Sequence, residues 1–150
     1  MAALICGCGK SRTPVDWSIP DGYEGWIKID YNVRATPALL AVAGHRIIRV
    51  PASGYVQTSS DLESGWAFDR VRYQNGEVLK ASMAGEGGLV WGDVSEWEVV
   101  TGPMGTSHTT GRALNECFFV GSEAKFNVAG GCDLNDWPKV LDGARTSPPK

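Results

Sequence analysis

The stretch Trp26-Ile27-Lys28-Ile29-Asp30-Tyr31 constrains this chain more than any other. Apolar and charged residues alternate there with a period of two. Only an extended strand sorts them so that Ile27, Ile29 and Tyr31 share one face while Lys28 and Asp30 share the other. Pro20-Asp21-Gly22 ahead of it has turn chemistry. Residues 46–50 read as a further strand stopped by Pro51, and 55–58 as another. Residues 69–74 and 77–83 flank Asn75-Gly76, the pair that supplies two positive φ values to a type I′ hairpin turn. On the second arm Leu79, Ala81 and Met83 are expected to point inward. Residues 89–91 and 97–101 read as two short strands, and 116–121 as a buried one. Residues 34–44 are ambiguous between a helix start and a loop, with Pro37 and Gly44 favouring the loop. Residues 102–111 are polar and glycine-rich, which predicts a surface loop. Ser122 is a candidate N-cap for a single helical turn, and a second short turn is expected around Trp137-Pro138.

These segments predict a mostly β fold. The expected form is an antiparallel β-sandwich of about seven short strands with one or two short helical turns. The nineteen glycines and six tryptophans agree with that, since glycine disfavours helix interiors and aromatic rings suit pleated, half-buried surfaces. A chain of 150 residues points to one domain able to bury a core. The expected boundaries are a signal remnant and tether over 1–17, the β domain over 18–142 and a disordered tail over 143–150. The formal charge of −3 excludes the clustered basic face of a nucleic-acid binder. No stretch approaches the roughly 20 apolar residues of a membrane-spanning helix.

The N-terminus reads as a processing signal. Ile5-Cys6-Gly7-Cys8 looks like a bacterial lipobox, in which a diacylglyceryl group is attached to Cys8. Only Ala2 to Ile5 remains of the apolar stretch that a signal peptide needs, and no Lys or Arg precedes it. The competing readings are a metal or redox site at Cys6-Gly7-Cys8, which lacks a second ligand pair, and a plain tail with two free thiols. Under the lipobox reading, residues 10–14 form a short polar tether, and several acyl chains on one cysteine hold the domain at a membrane. An exported compartment also permits a disulfide between Cys117 and Cys132, worth about 3 kcal/mol in the chain-entropy model. The alternative is a pair of buried thiols acting as small apolar residues.

Chemistry is sparse. His45 stands at a strand entrance, where an imidazole commonly caps a backbone group. His108 lies in a polar Thr/Ser segment without a Gly-x-Ser-x-Gly elbow. Gly85-Glu86-Gly87-Gly88 fails the phosphate-loop pattern. Asp61 and Glu63 lack the ligand spacing of a calcium loop, and Glu96 and Glu98 flank Trp97 as solvated side chains. Neither a cofactor nor a metal is implied. Trp66, Trp91 and Trp97, with His108, are the candidate ligand contacts, because exposed indoles stack on sugars and peptide side chains; core packing is the competing role for each ring.

In order along the chain stand Pro20-Asp21-Gly22-Tyr23-Glu24-Gly25-Trp26, then Pro51-Ala52-Ser53-Gly54, then Ser64-Gly65-Trp66, then Phe118-Phe119-Val120-Gly121. This series resembles an uncharacterised family of bacterial exported and lipoprotein domains, the domain-of-unknown-function family numbered six-eight-four-three, over about residues 18 to 127. The resemblance implies an envelope location and brings no activity, substrate or catalytic residue. The opening motif also looks like transthyretin-like sandwiches, an analogy of fold alone. The expected function is therefore a non-catalytic, membrane-anchored envelope module binding a peptide, glycan or partner protein. The alternatives are a hydrolase using His108 with a carboxylate, and an immunity-type lipoprotein that occupies a toxin.

Overall fold

The computed structural model of the chain describes residues 9–81, 88–101 and 103–132; of the side chains of 93–101 and 108–113 only the backbone context is described. Nine strands stand among these residues, in two mixed sheets. They are β1 (Val15–Ile19), β2 (Gly25–Asp30), β3 (Leu40–Val42), β4 (His45–Arg49), β5 (Tyr55–Gln57), β6 (Arg70–Tyr73), β7 (Val78–Leu79), β8 (Val90–Thr101) and β9 (Ser107–Val120). One sheet has the order β3-β4-β1-β6-β7 and the other β5-β2-β9-β8. The expectation of purely antiparallel pairing is corrected: β1 runs parallel to both β4 and β6, and β2 runs parallel to β5. The chain passes back and forth between the sheets as it proceeds, and consecutive strands pair only at the β3-β4, β6-β7 and β8-β9 hairpins. The parallel neighbours are strands separated by such a pass, whereas β2 and β9 run antiparallel.

One core lies between the two apolar faces. Trp17, Ile19 and Ile48 from the first sheet are clustered with Ile27, Ile29, Phe118 and Val120 from the second. Trp17 meets Phe118 edge-to-face with ring centroids 4.8 Å apart, the geometry that aligns a ring edge with a π face. Ile27, Ile29 and Tyr31 point inward as their alternation predicts. Lys28 and Asp30 do not face water, however, because they are only 4% and 1% exposed. On their face of the second sheet, Trp26, Trp91 and Phe119 gather around Phe126 of the single helix α1 (Glu123–Val128), with Trp91 stacked on Phe126 at 5.5 Å. Ser122 caps that helix, accepting from Lys125 N as expected.

Three local readings change. The hairpin at Asn75-Gly76 forms, with β6 antiparallel to β7, but only Gly76 has positive φ. Tyr73 O accepts from Gly76 N and Tyr73 N donates to Glu77 O, so the loop has three residues, a type I turn followed by a glycine bulge. On its second arm Leu79 is buried, Ala81 is exposed, and Met83 is outside the described residues. The two-residue turn with both φ positive occurs instead at Ala43-Gly44, joining β3 to β4 in the segment expected to be a loop. Finally, 90–101 forms one long strand and 107–120 another. The expected loop over 102–111 reduces to a tight turn at Pro103–Gly105, and His108 lies in β9 opposite Val100. Threonine and serine on an extended hairpin arm look loop-like in sequence although β-branched residues suit strands.

Residues 12–17 are part of the fold. Arg12 forms a bidentate pair with Asp69, at 2.8 and 2.6 Å, and the same carboxylate accepts from Val15 N. Thr13 N donates to Glu63, which also pairs with Arg46 at 2.7 Å. Val15, Asp16 and Trp17 are buried, inside the stretch assigned to the tether from sequence.

Two outcomes follow from this architecture. Ala43 holds a left-handed conformation that disfavours a Cβ and that asparagine tolerates. Replacing Ala43 by Asn is expected to raise stability by roughly 1 kcal/mol, read as a higher urea midpoint at unchanged slope. The Thr13 backbone bond holds the Glu63 carboxyl below its ordinary value of 4.5, helped by Arg46 and Arg12. A carboxyl lowered by folding stabilises fully above that ordinary value, and its contribution is lost as pH falls through the lower folded one. Glu63→Gln is therefore expected to flatten this part of the acid limb of a stability-against-pH curve.

Candidate functional site

Three features stand out once the strands are placed. The first is a cleft of about 300 Å³ between the sheets, at the small end of the range in which ligands are held. Its walls are Trp17 from β1, Val71 from β6, Val90 from β8 and Phe118 from β9, and it runs out past Ala81 and Gly92. Two carboxylates border it, Asp69 and Glu116. Both are engaged in holding the fold. Asp69 is gripped by Arg12 and by Val15 N, and Glu116 accepts from the Tyr31 hydroxyl at 2.8 Å. The pairing with Asp69 is also the main reason the Arg12 guanidinium is raised above its ordinary value.

The second feature is the polar cluster on the other face of β2. Lys28 Nζ lies 3.7 Å from Asp30, the Tyr55 hydroxyl donates to the same carboxylate, and Gln57 donates to the Tyr55 oxygen at 2.8 Å. The register explains the meeting: β2 and β5 run parallel with Lys28 opposite Tyr55 and Asp30 opposite Gln57. The Lys28 ammonium also stands 5.8 Å from the centre of the Tyr55 ring. Burying opposite charges is tolerable only when they are paired and hydrogen-bonded, which these are.

The third is an exposed aromatic pair, Trp66 at 74% and Phe68 at 87% exposure, on the loop clasped to residues 9–12. Of the tryptophans singled out from sequence, Trp66 alone is shown in solvent. Trp91 is buried, its Nε1 donates to Gly121 O at 2.8 Å, and it reaches the cleft only at its rim. Trp97 and His108 lie in β8 and β9 with side chains outside the described residues, as Cys8 and Trp137 are altogether. His45 Nδ1 lies 3.2 Å from Ala43 O, at the turn it enters from. Cys117 and Cys132 are joined as a disulfide with Cα atoms 6.7 Å apart, tying the segment after α1 to β9. Among the described residues no three His, Cys, Asp or Glu side chains gather as a metal requires.

Sequence reasoning missed Trp17, Val71 and Phe118 as cleft walls. Each is an ordinary strand residue, and only the pairing of distant strands assembles them. Lys28 and Asp30 carried a misleading signal, because alternation alone assigns charged residues to water.

The motif residues have structural roles. Gly54, at φ 72, lies under the Tyr23 ring, where a Cβ would come within 2.7 Å of Trp26 O. Tyr23 donates across it to that same Trp26 oxygen at 2.7 Å. Gly65 passes Lys10 O so closely that a Cβ would overlap it, and Gly121 leaves room for the Phe119 ring. The turns before β2 and before β5 thus fit against each other as one joint.

A search of curated proteins finds no match. A crystal structure described as "Putative Lipoprotein from Bacillus anthracis" is similar over 83% of this chain and 84% of its own, at a TM-score of 0.46 and 15% identity. A family profile matches residues 12–86, half of the 150-residue chain, a span that starts earlier and ends sooner than the resemblance read from the motifs. It takes in the Arg12–Asp69 pair, the Tyr23–Gly54 joint and the first seven strands, and on that match the chain belongs to the family of unknown function DUF6843.

Proposed function

We propose that this protein is a lipid-anchored, non-catalytic module of the cell envelope that takes an apolar side chain of a peptide or partner protein into the cleft between its two sheets. The observation that carries the reading is the cleft itself. Trp17, Val71, Val90 and Phe118 give it apolar walls, and its volume of about 300 Å³ suits one or two side chains rather than a cofactor. The engaged state of Asp69 and Glu116 supports binding over acid–base chemistry, since both carboxylates already accept hydrogen bonds that hold the strands. Ala81 and Gly92 also line the cleft. The anchor rests on the Ile5-Cys6-Gly7-Cys8 pattern, and an oxidising compartment accords with the Cys117–Cys132 bond.

A panel of muropeptides and short peptides, with Phe or Leu at a central position against Ala controls, tests the cleft by thermal shift and tryptophan emission. A ligand at a hundredfold excess over its Kd is expected to add about 2.7 kcal/mol, a rise in Tm of roughly 5–10 °C for a domain of this size. Val71→Trp, which fills the cleft, and Ala81→Trp, which obstructs its exposed rim, should each abolish the shift while leaving the circular-dichroism spectrum unchanged. Silence across the panel would remove the cleft from consideration. For the anchor, Cys8→Ser is expected to move the full chain from the membrane fraction to the soluble fraction, and equal partitioning of both forms would refute acylation.

A further inference from the structure

Residues 9–12 are not a free tether. Trp66 N donates to Lys10 O at 2.9 Å, Arg12 N donates to Trp66 O at 3.0 Å, and Ser11 bridges Trp66 in parallel register. Gly9 lies against the indole itself, so that a Cβ there would stand 3.0 Å from the Trp66 ring. The bidentate Arg12–Asp69 pair fastens the same stretch from its other side. Cys8 is the next residue in the chain, one Cα–Cα step of about 3.8 Å from Gly9. Any group carried on Cys8 is thus tied within one residue of the Trp66 contact.

The surface at that point is the wrong kind for open water. Trp66 and Phe68 leave most of their rings exposed, and Lys10 beside them is exposed as well. Aromatic rings with an adjacent cation favour the headgroup layer of a bilayer, where the ring enters the apolar boundary and the ammonium meets anionic lipid. A protein partner would also cover such rings, but the covalent neighbour of this patch is the acylation site, and no slack separates them. We propose that Trp66 and Phe68 form a membrane-seating face: the lipid on Cys8 holds the chain, and these rings dip into the interface and fix which way the domain stands. This rests on the anchor reading above and goes beyond it in orientation.

The test uses the full acylated chain reconstituted into vesicles of phosphatidylethanolamine, phosphatidylglycerol and phosphatidylcholine brominated in its acyl chains. Bromine quenches only rings that reach it. The wild type is expected to lose emission that Trp66→Phe does not lose, and Phe68→Trp is expected to add a further quenched component without disturbing the Gly9 contact. Vesicle-bound protein with the same quenching in all three forms would overturn the seating face while leaving the anchor intact. Wild type that stays soluble alongside Cys8→Ser would overturn the anchor and this inference together.

Discussion

Strand β2 is buried on both faces, and that single constraint organises the molecule. Its inward side chains, Ile27 and Ile29, sit in the core between the sheets. Its other face carries Lys28 and Asp30 into the interior of the fold, where charge is costly unless each member finds a partner. The partners come from β5, and they arrive only because β5 lies parallel with Tyr55 and Gln57 in register. A one-residue slip would turn the isoleucines outward and leave the charges among apolar rings. The register of β2 against β5 is therefore held from both sides at once.

That register has a mechanical support at its start. Tyr23 reaches over Gly54 to the carbonyl of Trp26, and Gly54 O accepts from Lys28 N. The two glycine-bearing turns in the sequence are thus halves of one joint that sets where β5 begins relative to β2. Burial raises the Tyr23 hydroxyl above its ordinary value. The Arg12–Asp69 and Thr13–Glu63–Arg46 contacts do a similar job for β1, fastening its leading end before it enters the first sheet. The family match spans the residues of both devices.

Sequence reading recovered the parts of the fold that depend on neighbours in the chain. The alternation in β2, the hairpin at residues 70–79 and the Ser122 cap are all local. It did not recover what distant residues decide. Parallel pairing of β1 with β4 and β6 leaves no local mark, because glycine and proline punctuation looks the same between hairpin arms and between crossovers. Ala43 adopts a left-handed turn that residue preferences assign to Asn75 instead. The long β8–β9 hairpin was obscured by its polar outer half. The cleft was invisible for the same reason as the parallel sheets: Trp17, Val71 and Phe118 lie more than forty residues from one another, and only the closed fold brings them together. The exposure of Trp66 was open to sequence reading as one alternative, whereas its contact with Gly9 needed the clasp between residues 9–12 and 65–66.

The back-and-forth path of the chain between the sheets also sets an order in time. Strand β1 finds its neighbour β6 with Asp16 opposite Arg70, and β2 finds β9 with Gly25 opposite Val120. No early segment can complete its sheet from what precedes it. The first sheet has all its strands once β7 has been synthesised, whereas β2 waits for Phe118 and the rest of β9, and the closing of that long loop makes the final step slow.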